Sequence, residues 1–267
     1  MEGASKIREV EIVRIDTDAK KAEKVRDYIA EEKPLHIFLN RTRYATVFCL
    51  PTNLKELAVG HLLTEGVINS TEEIAEINFK EEGVYQIKLK PEVNIENRLK
   101  LLQKMSRIIL SACGGPHQPS TKLPKIRADI KVKAETVQKC VNNLNFIAET
   151  FRKTGGVHVA ALYKSDGALL AFAEDVGRHN AVDKAIGIGA FSKVNFSECF
   201  LAISGRLTGD MVFKAAKVGL PIVASLAAAL DSGIEIAKKA NITLIGFVRG
   251  KCMNVYTAPE RVSLESS

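Results

Sequence analysis

From Val157 to Val248, short apolar runs alternate with segments of helical periodicity, and this alternation constrains the fold more than any other feature of the chain. The runs 157–163 and 169–173, joined by Ser165-Asp166-Gly167, predict a hairpin. Ala181, Val182, Ala185 and Ile186 then recur at helical spacing. A strand is expected over 199–203, a helix over 211–218, a short strand over 221–224, a helix over 234–240 and a strand over 242–248. A series of this kind builds a three-layer α/β unit whose central strands are mainly parallel.

Two polar turns interrupt the series. Glu174-Asp175-Val176-Gly177-Arg178-His179-Asn180-Ala181-Val182-Asp183-Lys184 lies between an apolar strand and a helix, and Ser204-Gly205-Arg206-Leu207-Thr208-Gly209-Asp210 follows the next strand. In open α/β sheets ligands bind beyond the carboxyl ends of strands, so both turns are candidates for a phosphate site. Arg178 and Arg206 would chelate oxyanions, with His179, Asp175 and Asp183 beside them. The competing reading is a network of structural ion pairs, such as Asp175 with Arg178 or Asp210 with Lys214. Spacing alone leaves both open.

The first half reads differently. Residues 10–15 alternate in polarity, and 35–39 with 44–50 flank Asn40-Arg41-Thr42-Arg43 as a hairpin. A helix starts at Asn53 as its cap with Glu56 three residues on, and Gly66 stops it. His61 on its apolar face is a core-edge histidine on this reading, because no second metal ligand stands at useful spacing. A second hairpin is expected from 74–79 and 84–89, then a lysine-rich stretch and a strand over 108–110. Residues 117–131 have the composition of a surface linker, which divides the chain into an α+β unit over 1–130 and an α/β unit over 131–267. Val137, Cys140, Val141, Leu144, Ile147, Ala148 and Phe151 mark one face of a single helix that ends before Gly155-Gly156.

Cys113, after a strand and before Gly114-Gly115, is the candidate reactive thiol, because thiolate chemistry needs access. Cys49, Cys140 and Cys199 lie within apolar runs and read as small buried hydrophobes. The chain has 267 residues, a net charge of +7 and five cysteines without a disulfide pattern, which together suggest a cytoplasmic protein with an anionic partner. Lysines are dispersed and aromatics are 6%, so a phosphate-bearing small ligand is favoured over nucleic acid. No stretch is apolar enough for a membrane span.

The motif at 174–184, Ser-Gly-Arg at 204–206, Gly-Phe-Val-Arg at 246–249 with Asn-Val-Tyr-Thr at 254–257, and Glu-Leu-Ala-Val-Gly-His-Leu-Leu-Thr-Glu-Gly at 56–66 together resemble the formate dehydrogenase accessory sulfurtransferase family, FdhD/NarQ. The resemblance implies a cytidine-deaminase-like fold for the C-terminal part, with a mixed sheet. It implies a sulfurtransferase that takes persulfide sulfur from a cysteine desulfurase and delivers it to molybdenum cofactor, bis-molybdopterin guanine dinucleotide, for formate dehydrogenase. Cys113 would carry the persulfide. The cofactor, bound as substrate, would lie near Phe247, Val248, Arg249, Gly250, Lys251 and Cys252, and by extension near Arg178, His179 and Arg206. A homodimer is the family expectation. A non-catalytic chaperone that binds the guanine nucleotide portion is the alternative. The chain departs from the family in having Cys113-Gly114-Gly115 where Cys-Gly-x-Cys-Gly is usual, and it lacks the deaminase zinc signature His-x-Glu with Pro-Cys-x-x-Cys.

Overall fold

The computed structural model describes residues 5–96, 98 and 123–264. Cys113, the strand expected at 108–110 and residues 117–122 of the linker lie outside these residues. The chain opens with a two-stranded ribbon, β1 (Ile7–Asp16) and β2 (Lys21–Ala30), paired antiparallel along their whole length. A four-stranded sheet follows in the order β4-β3-β6-β5, made of β3 (Lys33–Leu39), β4 (Thr42–Cys49), β5 (Ile74–Glu81) and β6 (Val84–Leu89). Both expected hairpins are present. The first has a tighter turn than expected, because Asn40 adopts φ 55° and lets Leu39 pair with Thr42.

Between these hairpins runs α1 (Leu54–Thr64). Asn53 stands at its N-cap, but in the left-handed region at φ 50°, with no side-chain capping bond. It contributes its backbone carbonyl to Leu57 N–H instead.

The second sheet has six strands in the order β13-β12-β11-β10-β8-β9. These are β8 (His158–Lys164), β9 (Leu169–Asp175), β10 (Cys199–Ile203), β11 (Ile222–Ser225), β12 (Thr243–Arg249) and β13 (Cys252–Thr257). Only β10, β11 and β12 are mutually parallel neighbours; β8 runs antiparallel to β10 and to β9, and β13 antiparallel to β12. The sheet is therefore mixed. A short parallel pair, β7 (Val132–Lys133) with β14 (Val262–Ser263), lies apart from it.

Helices cover both faces, as the period-2 apolar residues of a doubly buried sheet require. Val159, Ala161, Tyr163, Phe200, Ala202, Ile222 and Ala224 pack against α2 (Ala134–Ile147). The alternate residues Ala160, Leu162, Leu201, Ile203, Val223 and Leu244 pack with α4 (Arg178–Phe191), α5 (Gly209–Lys217) and α6 (Asp231–Ala240). That second core is continuous with Leu35, Ile37, Leu57, Leu62 and Ile87 of the four-stranded sheet and α1.

The helix expected through Phe151 is broken. Past Ala148 the chain restarts as α3 (Glu149–Thr154), because the buried Glu174 carboxylate accepts from the N–H groups of Thr150 (3.2 Å) and Phe151 (2.9 Å). Its two oxygens satisfy two of the orphan donors at a helix start.

Candidate functional site

The carboxyl ends of β9, β10, β11 and β12 share one edge of the sheet, and the antiparallel course of β8 brings its first residue, His158, to that same edge. His158 pairs with Asp175 in the ladder, and Ser204 N–H donates to the Val159 carbonyl. Here a cavity of about 620 Å³ opens, lined by residues that include Phe151, Gly156, His158, Ser204, Leu226 and Arg249. Its volume is in the range of small-molecule sites.

Four of the motif's charged residues have structural partners. Glu174 caps α3 as described. Asp175 Oδ2 lies 2.7 Å from Lys184 Nζ, both groups fully buried, and Oδ1 accepts from Gly177 N–H and Asn180 Nδ2. Lys184 also donates to the carbonyls of Leu50 (2.9 Å) and Glu174 (3.2 Å). Asp183 accepts from Lys214 Nζ at 2.9 and 3.0 Å, from Thr64 Oγ1 at 2.7 Å and from His61 Nδ1 at 3.1 Å. Asp175 and Asp183 pair with lysines, and Lys214 pairs with Asp183 and Glu65 rather than with Asp210. Burial would raise the Asp183 carboxyl, but the Lys214 ammonium and the His61 contacts outweigh it and hold it at about 2. His61 is a hydrogen-bonded histidine at the core edge, as expected.

The two basic residues at the start of α4 diverge. Arg178 packs over the second turn, where a Cβ built on Gly205 would lie 3.0 Å from its own Cβ. His179 feels the charges of the Lys214 cluster. Burial, then the positive charges of Lys214 and Arg178, push it down to about 4. Arg206 is exposed on the turn after β10.

At the end of β12 a register shift between Gly246 and Arg249 re-aims the strand, with Phe247 at φ 51°. Arg249 Nε donates to the Leu226 carbonyl at 2.8 Å, and its guanidinium lies 5.3 Å from the centre of the Phe247 ring. The Gly250 carbonyl accepts from Gln138 and Asn142 of α2. Val248 is fully buried in the core under α2, whereas Lys251 on the turn and Cys252 at the start of β13 are exposed. Of the basic residues expected at the site, Arg249 therefore lines the cavity and Arg178 stands at the adjoining turn. Cys49, Cys140 and Cys199 are buried, with thiols pushed up by burial to about 12, 11 and 11, the inert state expected of them.

His158 and Ser204 went unassigned as site residues. Ser204 Oγ accepts from Val159 N–H at 2.9 Å and lies 3.3 Å from His158 Nδ1. Burial and then Arg178 lower His158, against a smaller opposite pull from Asp175. Ser204 opens the second polar turn, and Gly155-Gly156 stands just before the strand of His158. Among the described residues no group of three or more His, Cys, Asp and Glu is arranged to hold a metal ion. No described helix is long and apolar enough to cross a membrane.

This constellation can be set beside known proteins. Residues 30–263 match the model of the FdhD/NarQ family. The chain belongs to the FdhD/NarQ family. Among FdhD relatives, one from Saccharolobus solfataricus named sulfur carrier protein FdhD is 36% identical over 263 residues, covering 96% of this chain and 98% of its own. Proteins of the same name from Shouchella clausii and Bacillus subtilis are each 37% identical, covering 91% and 90% of this chain and 92% of their own. The FdhD/NarQ fold is also seen in the crystal structure of a candidate formate dehydrogenase accessory protein from Desulfotalea psychrophila. It superposes with a TM-score of 0.78 at 26% identity, over 97% of this chain and all of that one.

Proposed function

We propose that this protein is a sulfur carrier for formate dehydrogenase maturation, which holds sulfur on Cys113 and delivers it to a molybdenum cofactor docked by its guanine nucleotide portion at the carboxyl edge of the six-stranded sheet. The observation that carries the docking is the cavity there, with the Arg249 guanidinium on its wall and Arg178 beside it. Guanidinium groups match phosphate oxygens with paired donors, and a cavity of this size suits one nucleotide rather than the whole dinucleotide cofactor. The relatives named as sulfur carriers, which span nearly the whole chain, support the sulfur chemistry.

The loading step needs one exposed thiolate. Cys113 attacks the outer sulfur of a desulfurase persulfide, a new S–S bond forms on Cys113, and the desulfurase cysteine leaves as thiolate. No net oxidation occurs, so a single loop cysteine suffices for it. None of Cys49, Cys140 and Cys199 can substitute, because their buried thiols stay protonated.

Incubation with a cysteine desulfurase and cysteine should add roughly 32 Da, one sulfur atom, to the peptide bearing Cys113, and Cys113→Ala should abolish both the adduct and formate dehydrogenase activation while leaving GDP binding intact. Full activation by Cys113→Ala would instead establish the non-catalytic nucleotide chaperone.

A further inference from the structure

Among the described residues that line the cavity, His158 is the one whose charge can change near neutral pH; Arg249 is a guanidinium and the others carry no group that titrates there. Its surroundings disfavour the charged ring, burial first and then Arg178. From the neighbouring α4 terminus Arg178 repels a proton. From β9, Asp175 attracts one, but Asp175 is already engaged by Lys184, Gly177 and Asn180. Ser204 is built to serve either charge state. Its oxygen already accepts from Val159 N–H, so its hydroxyl proton can point to His158 Nδ1 while the ring is neutral. Its remaining lone pair can receive Nδ1–H once the ring is charged, since a hydroxyl offers one donor and two acceptor sites. In both states Nδ1 is occupied by Ser204, which leaves Nε2–H as the donor for a ligand.

We propose that His158, oriented by Ser204, meets the phosphate oxygens of the ligand in this cavity and takes a proton from solvent as the ligand enters. A phosphate dianion reverses the electrostatic balance that Arg178 sets, and imidazolium then donates a charge-assisted hydrogen bond in a site partly shielded from water. His158 is thus a phosphate-binding residue beside Arg249, and ligand binding in the cavity is coupled to proton uptake. The inference rests on the proposed nucleotide site, and its chemistry is that of any phosphate monoester or pyrophosphate.

Calorimetry of GDP binding in two buffers of different ionisation enthalpy, at about pH 7.5, reads the coupled proton directly. The wild-type protein should take up a substantial fraction of one proton per GDP in excess of His158→Gln, and guanosine, which lacks phosphate, should show no such excess. The wild-type affinity should rise several-fold more than that of the variant as pH falls from about 8 to 6.5, which subtracts the titration of GDP itself. Should His158→Gln fold poorly, the ring of His158 can be followed by NMR in the wild-type protein, with and without inorganic pyrophosphate. Its titration midpoint should move up on addition. GDP binding with equal proton uptake in wild type and variant, or a midpoint that pyrophosphate leaves in place, overturns the role of His158 and leaves the nucleotide site standing. If neither GDP nor pyrophosphate binds, the nucleotide site itself is wrong and His158 falls with it.

Discussion

Lys184 is among the largest side chains with no solvent exposure, and it shows how the residues of the 174–184 motif divide their tasks. An ammonium group out of water is tolerated only when its donors are all taken, and Lys184 reaches Asp175, two backbone carbonyls and Thr52 Oγ1. The Leu50 carbonyl and N–H bond to Lys184 and Asp175 respectively, so the pair ties the residue after β4 to the end of β9 and the second turn of α4. Removing the amine while the carboxylate stays leaves a buried charge without a partner. Lys184→Met should therefore lower unfolding free energy in urea by roughly 3–5 kcal/mol, and a loss under about 1 kcal/mol would show that water reaches Asp175. GDP affinity measured on the folded fraction should change little, because the pair lies behind the cavity rather than in its wall.

The helices α1 and α4 cross in close contact. A Cβ added to Gly60 would lie 1.8 Å from the Asp183 carbonyl oxygen, and one added to Gly187 would lie 2.0 Å from that of Glu56. Two helices approach this closely only where neither carries a side chain, and the contact sets the depth at which the His61, Thr64 and Asp183 cluster forms. Alanine at a helix-interior glycine ordinarily stabilises by about 1 kcal/mol. At Gly187 the obstacle is backbone, so Gly187→Ala should be net destabilising, by about 1–3 kcal/mol in chemical denaturation. Gly189→Ala, which meets the Leu162 side chain at 2.9 Å, should cost less. Equal costs at the two positions would mean that α1 shifts freely. The sequence made α4 and its strand neighbours legible, since apolar residues at period 2 or 3.6 mark them directly. It did not show the crossing partner of Gly187, because close approach leaves no periodic trace. The hairpin of β8 with β9 was legible from the turn Ser165-Asp166-Gly167, but the neighbour on the other side of β8 was not: apolar strands carry no mark of their partner, and the antiparallel pairing with β10 left no trace. The restart of the chain as α3 was invisible for a related reason, its cap being Glu174, many residues away. Arg249 was reached through the resemblance that Gly-Phe-Val-Arg at 246–249 carries, not through periodicity, which marks only the apolar run before it.

At the scale of the molecule, the apolar core and the buried ion pairs both run from the four-stranded sheet into the six-stranded one, so acid should act on the whole rather than on one part. His179 is the group that responds first. Held at about 4 by burial and by Lys214, against an ordinary value of 6.5, it binds fewer protons folded than unfolded throughout that window. Stability must then fall as pH falls from about 6.5 toward 4, with a limiting slope of roughly 1.4 kcal/mol per pH unit for this residue. His158, also lowered, adds to the loss in the upper part of the window. Asp183 follows the opposite ionisation with the same outcome: its depressed carboxyl contributes stability above its unfolded value, and that contribution disappears as pH drops toward about 2. The losses should therefore come in sequence, histidines first and the Asp183–Lys214 pair last. Urea titrations at intervals between about pH 7 and 4 separate them. The wild-type protein should lose stability progressively, and His179→Gln should show a shallower dependence across that range while keeping the same steep loss below it. A His179→Gln protein whose stability falls with the wild-type slope between pH 6.5 and 4 would mean that the ring is protonated in the folded state. The Lys214 cluster would then have to accommodate a second buried cation.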